Sequence, residues 1–445
     1  MTHPLPAVSV LSVCVALTCP AAETGTATLL PPAQRKLHIC GTVYTVPRDY
    51  YLFEALHISS GGLIAGEGSH VIHRGAFKSG PAHGAENPSG SEMILRDGAT
   101  WTQGEDMPFY FACALDADYW HSRKHRLLVT GASPDGKRPT TLNMNYGSFV
   151  VGALRNDRTT SGGNSVTISD GALLDKAAVF LAQFQGGDRG SITVSGGARV
   201  NALVTAVAYE SGGTENVITI TGEGTVWDNH NGNFNIGNSA GGPPALRNSV
   251  IVTDHAKLLN VGNLNIGHRT GDRGNVATGN TFTVAAGGEV RMSWGGVMIG
   301  YSGGGAPVSG NALVLDEGGR FVTRNWIAVG ADNESSRDNA LSLRGGDLSA
   351  SSLSVRPGNN LEIVISAGGV RPLMLSGNAA LAPGSRIVAR CDDVAGSGLF
   401  HPVIVSSEGT ISTNGVLLTT SQPEYDFKLR LNEERNELSL GAFAR

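Results

Sequence analysis

Five segments of the chain begin on one template: Asn164-Ser-Val-Thr-Ile, Asn216-Val-Ile-Thr-Ile, Asn248-Ser-Val-Ile-Val, Asn280-Thr-Phe-Thr-Val and Asn311-Ala-Leu-Val-Leu. Apolar side chains follow each Asn two, four and ten positions on, as in Val166, Ile168 and Leu174, or Phe282, Val284 and Val290. Gly190-Ser-Ile-Thr-Val and Asn339-Ala-Leu-Ser-Leu are degenerate copies. A second block, apolar-x-apolar-Gly, recurs as Phe234-Asn-Ile-Gly237, Leu264-Asn-Ile-Gly267, Val297-Met-Ile-Gly300 and Ile327-Ala-Val-Gly330. A spacing of about 25 to 32 residues is the mark of a repeat architecture. Fainter copies are read at Leu56, Ile58 and Ile64, at Met93, Leu95 and Trp101, at Phe149-Val-Val-Gly152, and at Ile363, Ile365 and Val370. On this reading about ten units lie between residues 50 and 390.

Alternation such as Val-Thr-Ile predicts a short strand whose side chains face opposite ways in turn. The Asp-Gly and Gly-Gly pairs that follow suit a sharp turn, and no segment carries a sustained helical period. One unit buries about five apolar side chains, worth about 1.5–3 kcal/mol each. Ordering its backbone costs about 1–2 kcal/mol per residue. A single unit is therefore unstable, and the deficit closes only if units stack. Stacked coils pair in parallel at about 4.8 Å, so ten make a rod about 50 Å long. The Asn side chains then superpose and can hydrogen-bond along the stack. The polar, Gly-rich pieces before each Asn (238–247, 268–279, 301–310 and 331–338) are expected to bulge from one corner, where length changes cost little. The competing arrangement uses the same strands as antiparallel hairpins in a sandwich or propeller.

The Asn-x-apolar-x-apolar strand with its turn Gly, followed by apolar-x-apolar-Gly, resembles the repeats of autotransporter passenger domains. It is closer still to the passenger-like, autotransporter-associated repeat proteins. The resemblance covers residues 160–440 well and 50–160 loosely. It implies an all-β, right-handed parallel β-helix (β-solenoid) with three short strands per coil, displayed outside the cell. Segment 399–445, with Gly415-Val-Leu-Leu and Phe427-Lys-Leu-Arg-Leu, is similar to the closing strands of such proteins. The expected organisation is a signal peptide at 1–22, an N-terminal cap at 23–55, β-helix repeats at 56–390 with a lateral insertion at 102–126, and C-terminal closing strands at 391–445. The family departs from this chain in one respect: an outer-membrane barrel takes at least eight strands of roughly 9–11 residues, and no such set is found.

The export expectation rests on the apolar run Ala7–Leu17 followed by Cys19, Pro20, Ala21 and Ala22, although no Lys or Arg precedes Arg35. No later stretch approaches the roughly 20 apolar residues of a transmembrane helix. Beyond residue 22 only Cys40, Cys113 and Cys391 remain, too few and too far apart for a disulfide framework or a CxxC metal site. They read as isolated buried thiols. With 38 acidic and 33 basic residues the net charge is −5, which argues against a nucleic-acid partner. At 16% charged and 40% apolar the chain is not disordered, and its 61 glycines follow no three-residue collagen period.

The stretch 102–126 gathers aromatic, acidic and basic residues. Tyr110, Tyr119, Trp120 and Arg123 are candidate glycan contacts, since rings stack on pyranose faces while charged groups hold hydroxyls. Asp116 and Asp118 are the best candidate pair for a polysaccharide lyase or glycosidase, which needs flanking carboxylates or acids with Ca²⁺ and a base. His121-x-x-x-His125 presents two histidines that could bind metal from one helical face but no third ligand, and no cofactor is implied. Asp392-Asp393 reads as a turn after the final coil. Gly186-Gly-Asp-Arg-Gly190 and Gly271-Asp-Arg-Gly274 fall in corner segments and open no helix, which argues against phosphate binding. The expected role is a secreted or surface-displayed β-helix with a structural or adhesive function and no chemistry of its own. It would contact extracellular polysaccharide or cell-surface components. The alternative is a carbohydrate-active β-helix with its site near residues 105–126. The structural residues expected to form the ladder are Asn164, Asn216, Asn248, Asn280, Asn311 and Asn339.

Overall fold

The computed structural model describes residues 28–445 apart from 31–32, 35–36, 40–41, 53, 55, 59–60, 68, 80–89, 114–120, 153–159, 185–186, 211, 239–243, 269–275, 304 and 394–395. The proposed signal peptide lies outside the described residues, as does Cys40. Among the described residues the named regular elements are all strands, and parallel coils stack them into a β-solenoid.

Three columns of strands run along the stack. The first holds the Asn-led strands, among them Val217–Ile220, Ser249–Val252, Thr281–Val284 and Ala312–Asp316, in a parallel sheet of 15 strands. The second column includes Val226–Asp228, Lys257–Val261, Glu289–Met292 and Arg320–Val322. The third includes Phe234–Ile236, Leu264–Ile266, Val297–Ile299 and Trp326–Val329. At Leu173–Phe184 and Arg199–Glu210 a 12-residue strand runs through the bend and joins the second and third columns into one sheet. Parallel pairing of consecutive repeats is incompatible with the hairpin and propeller arrangements.

The register explains the periodicity. Ile218, Val250, Phe282, Leu313 and Leu341 are consecutive partners across the first column, and all are buried in one continuous core. Trp227, Leu258, Val290, Phe321 and Leu348 do the same across the second. Phe234, Phe282 and Phe321 meet edge to face inside, with centroids 6.0 and 6.4 Å apart, the arrangement aromatic quadrupoles favour.

Three features differ from the sequence reading. The corner segments close with a fourth column of two-residue strands, Gly213–Thr214, Ala245–Leu246, Ala277–Thr278, Val308–Ser309 and Ser336–Arg337, in a parallel sheet of 5 strands just before each Asn. Two faint repeats change register. Leu56–Ile58 occupies the third column, while Leu63 and Ala65 align with Met93 and Leu95 in the first. Toward the C-terminus Leu361 and Ile363, not Ile363 and Ile365, lie beside Leu341 and Leu343. The causes differ. Leu56–Ile58 has no marker Asn or Gly, and third-column strands alternate as well. Leu361 and Ile363 instead follow Asn359 by two and four positions, on the same strand as Ile365 but one alternation earlier. Finally, the described parts of 102–126 run within the coil. Thr100–Gln103 pairs between His70–His73 and Thr141–Asn143, and Phe109–Phe111 pairs between Phe77–Ser79 and Phe149–Val151.

At the C-terminal end Phe400–Ser406 still pairs in parallel with Leu373–Leu375 on one side. Its other side takes Glu437–Ala444 in antiparallel fashion, and that strand pairs in turn with Tyr425–Leu431. The hairpin covers the open edge of Phe400–Ser406, the last strand of the second column.

Candidate functional site

Ladder asparagines are buried at the corner between the fourth and first columns. The Oδ1 of Asn248 accepts from both the backbone N–H (3.1 Å) and the Nδ2 (2.9 Å) of Asn216. Asn280, Asn311 and Asn339 repeat this with the preceding Asn. Each Nδ2 also donates to a fourth-column carbonyl: Asn248 to Gly213, Asn280 to Ala245, Asn311 to Ala277 and Asn339 to Val308. The ladder continues past the expected set to Asn359, whose Oδ1 receives the N–H and Nδ2 of Asn339 at 3.2 and 2.9 Å. In the other direction Gly190 supplies an N–H to Asn216 (2.9 Å) but no side chain. Asn164 then receives the N–H of His125 at 3.0 Å. His125 takes the asparagine's place one coil earlier: its Nδ1 faces the backbone N–H of Ser91 at 3.0 Å and the Ser91 hydroxyl at 2.6 Å. The histidine weighed as a metal ligand is thus a buried rung.

The second motif completes this corner. Gly237, Gly267, Gly300 and Gly330 all have left-handed φ, between 64 and 83°. A Cβ on these glycines would collide with the side chains of Asn280, Asn311, Asn339 and Asn359 in turn. The two recurring blocks therefore form the two walls of one packed corner.

Of the residues expected to carry ligand chemistry, Asp116, Asp118, Tyr119 and Trp120 lie outside the described residues. Tyr110 projects outward from the third column and packs with Phe180 against Cys113 and Val150. Burial, with a smaller contribution from Cys113, raises the pKa of its hydroxyl. Arg123 is exposed in a short parallel pairing of His121–Arg123 with Thr160–Gly162. Cys113 and Cys391 are both buried, and Cys391 carries a free thiol. Asp392 is gripped by Arg390, Nε to Oδ1 and Nη2 to Oδ2 both at 2.6 Å, which lowers its pKa. Arg189, from the Gly-rich corner segment, meets Glu215 at 3.0 Å, and Arg247 meets the same carboxylate at 2.9 Å.

A buried polar cluster sits inside the N-terminal coils. His73 Nδ1 lies 3.1 Å from Gln103 Oε1, which also accepts the Trp101 indole N–H at 3.1 Å, and His73 Nε2 lies 2.9 Å from the Glu54 carbonyl. Desolvation outweighs these hydrogen bonds and lowers the His73 pKa to about 4.

Sequence reasoning passed over the aromatic residues on the outside of the later coils. Trp294, Tyr301 and Trp326 are 53, 37 and 41% exposed. Trp294 is anchored by its indole N–H to the Asn231 carbonyl at 3.1 Å. The Trp326 indole lies over Gly296 of the preceding coil. Tyr301 follows Gly300 and rests on the His268 ring, with centroids 5.1 Å apart. Tyr301 and Trp326 line one cavity of about 360 Å³ with outward-facing Met298, Ala328 and Ser354. Asp332 and Arg356, paired at 3.0 Å, lie at its edge. A sequence signal did exist, since Trp326 occupies a slot filled by Asn233, Asn263 and Gly296 in earlier repeats.

The sequence matches none of the known protein-family models, and no curated protein matches it.

Proposed function

We propose that the chain is a scaffold exported to the cell exterior, akin to passenger-like, autotransporter-associated repeat proteins, with a structural or adhesive role. The observation that carries this reading is where the repeated residues act. Asn and Gly, the residues that define the repeat, act on each other inside the stack. The outer flank of the second column is a row of alternating charges, Lys257, Glu289, Arg320 and Asp347, in register across successive coils. Arg320 donates to Glu289 at 3.3 Å, and Asp347 forms an ion pair with Arg371 at 3.6 Å. What remains for a partner is a long, regular surface with locally distinctive side chains, which suits presentation and adhesion. Fold alone does not choose among roles, so binding and turnover are both to be measured. The full chain, applied to a panel of immobilised neutral and acidic polysaccharides, is expected to be retained by some and to release product from none. Product release overturns the reading. Residues 1–22 fused to a reporter are expected to direct it out of the cytoplasm.

A further inference from the structure

The cavity between Trp326 and Tyr301 is built for a ligand with both an apolar face and a rim of hydroxyls. We infer that it is a binding site for a neutral pyranose saccharide, an inference that rests on the adhesive reading above and gives it a location. Three observations converge. Large aromatic rings left half in water are costly to keep exposed unless they meet something, and here two flank one outward strand face. Both are held in place, Trp326 over Gly296 and Tyr301 on His268. A ligand therefore meets rings already oriented, with little ordering cost.

The floor gives the ligand its class. Met298, Ala328 and Ser354 are modest outward side chains of three successive coils. They leave a shallow opening of about 360 Å³, at the lower end of the range for small-molecule sites. Trp326 offers a flat π-face to the axial C–H groups of a pyranose. Asp332 and Arg356 offer an acceptor and a fork of donors within the same cavity, the groups that hold vicinal hydroxyls. Because these two charges pair with each other at 3.0 Å, the rim carries no net charge to attract a uronate chain. A neutral sugar is favoured over an anionic one.

The test is a titration of the full chain, followed by tryptophan fluorescence, with cellohexaose, chitohexaose and mannohexaose, and with oligogalacturonate as the anionic comparator. At least one neutral hexasaccharide is expected to bind saturably with a dissociation constant of about 1 mM or tighter. Trp326→Ala is expected to weaken it at least tenfold, Trp326→Phe to weaken it less, and Tyr301→Ala to weaken it independently. Calorimetry on each variant supplies a readout that does not depend on the indole, and circular dichroism verifies the fold. Binding unchanged in both Trp326→Ala and Tyr301→Ala sinks the site while leaving the adhesive reading intact. Binding of oligogalacturonate alone, or of no hexasaccharide by a chain that polysaccharides still retain, has the same consequence. A chain retained by no polysaccharide and bound by no hexasaccharide ends both.

Discussion

An asparagine fits the ladder because its side chain has one group that accepts twice and one that donates twice. In Asn280 the Oδ1 takes two donors from Asn248, and the Nδ2 serves Ala245 and Asn311. Removing it strands several buried groups at about 1–3 kcal/mol each. Asn280→Ala is therefore expected to lower stability by about 3–5 kcal/mol, read as a shift in urea midpoint and as faster amide exchange confined to neighbouring coils. An unchanged exchange pattern would show that the ladder contributes little. Gly267 tests the opposite wall. Gly267→Ala combines a left-handed φ with a collision against Asn311 and is expected to cost about 2–4 kcal/mol. Gly131 has a similar φ, 76°, but open space around it. Gly131→Ala should cost only about 1 kcal/mol. Equal losses at the two sites would mean that contact with the asparagine is immaterial.

At the scale of elements, the strands His70–His73 and Thr100–Gln103 bring His73, Gln103 and Trp101 together inside the coil. The ordinary His value is 6.5 and the folded one about 4. Between those values the unfolded chain binds a proton that the folded chain does not, so stability is full above pH 6.5 and falls as the pH drops toward 4. The window corresponds to about 3 kcal/mol at most. Thermal melts at pH 7.5, 5.5 and 4.5 should show this decline, with a shallower slope in His73→Gln. Stability that rises on acidification would mean that both ring nitrogens donate, to Gln103 and Glu54, as an imidazolium. The same scale shows what an alternating pattern leaves open. Leu56–Ile58 looks like a first-column strand in sequence yet belongs to the third column, and only its partners, Leu37–Ile39 and Phe77–Ser79, decide.

For the whole molecule, near-additivity of coils has a direct consequence. Deleting residues 249–280 joins Asn248 to Thr281 and restores the template in frame. The shortened chain is expected to fold with an unchanged circular dichroism spectrum and to be shorter by about 4.8 Å, one strand spacing, as read by small-angle scattering. Loss of fold would show that the coils are not interchangeable. The C-terminal hairpin has a different duty. Removing 420–445 uncovers the edge of Phe400–Ser406, and exposed edges template further pairing. The truncated chain is expected to self-associate in sedimentation, whereas the intact chain does not by this edge.

The sequence alone determined the coil: its length, its two inward apolar columns read from Asn and Gly, and the corner where those residues meet. These are repeated features, and repetition makes a weak local signal legible because each copy must satisfy the same neighbours. The tertiary structure alone decided what falls between copies. The register of unmarked strands, His125 standing in for an asparagine, and the tyrosine and tryptophan brought to one opening across the strands between residues 296 and 330 all depend on which coil lies beside which. That adjacency spans about 30 residues of chain but only about 4.8 Å of space, and local pattern carries no record of it.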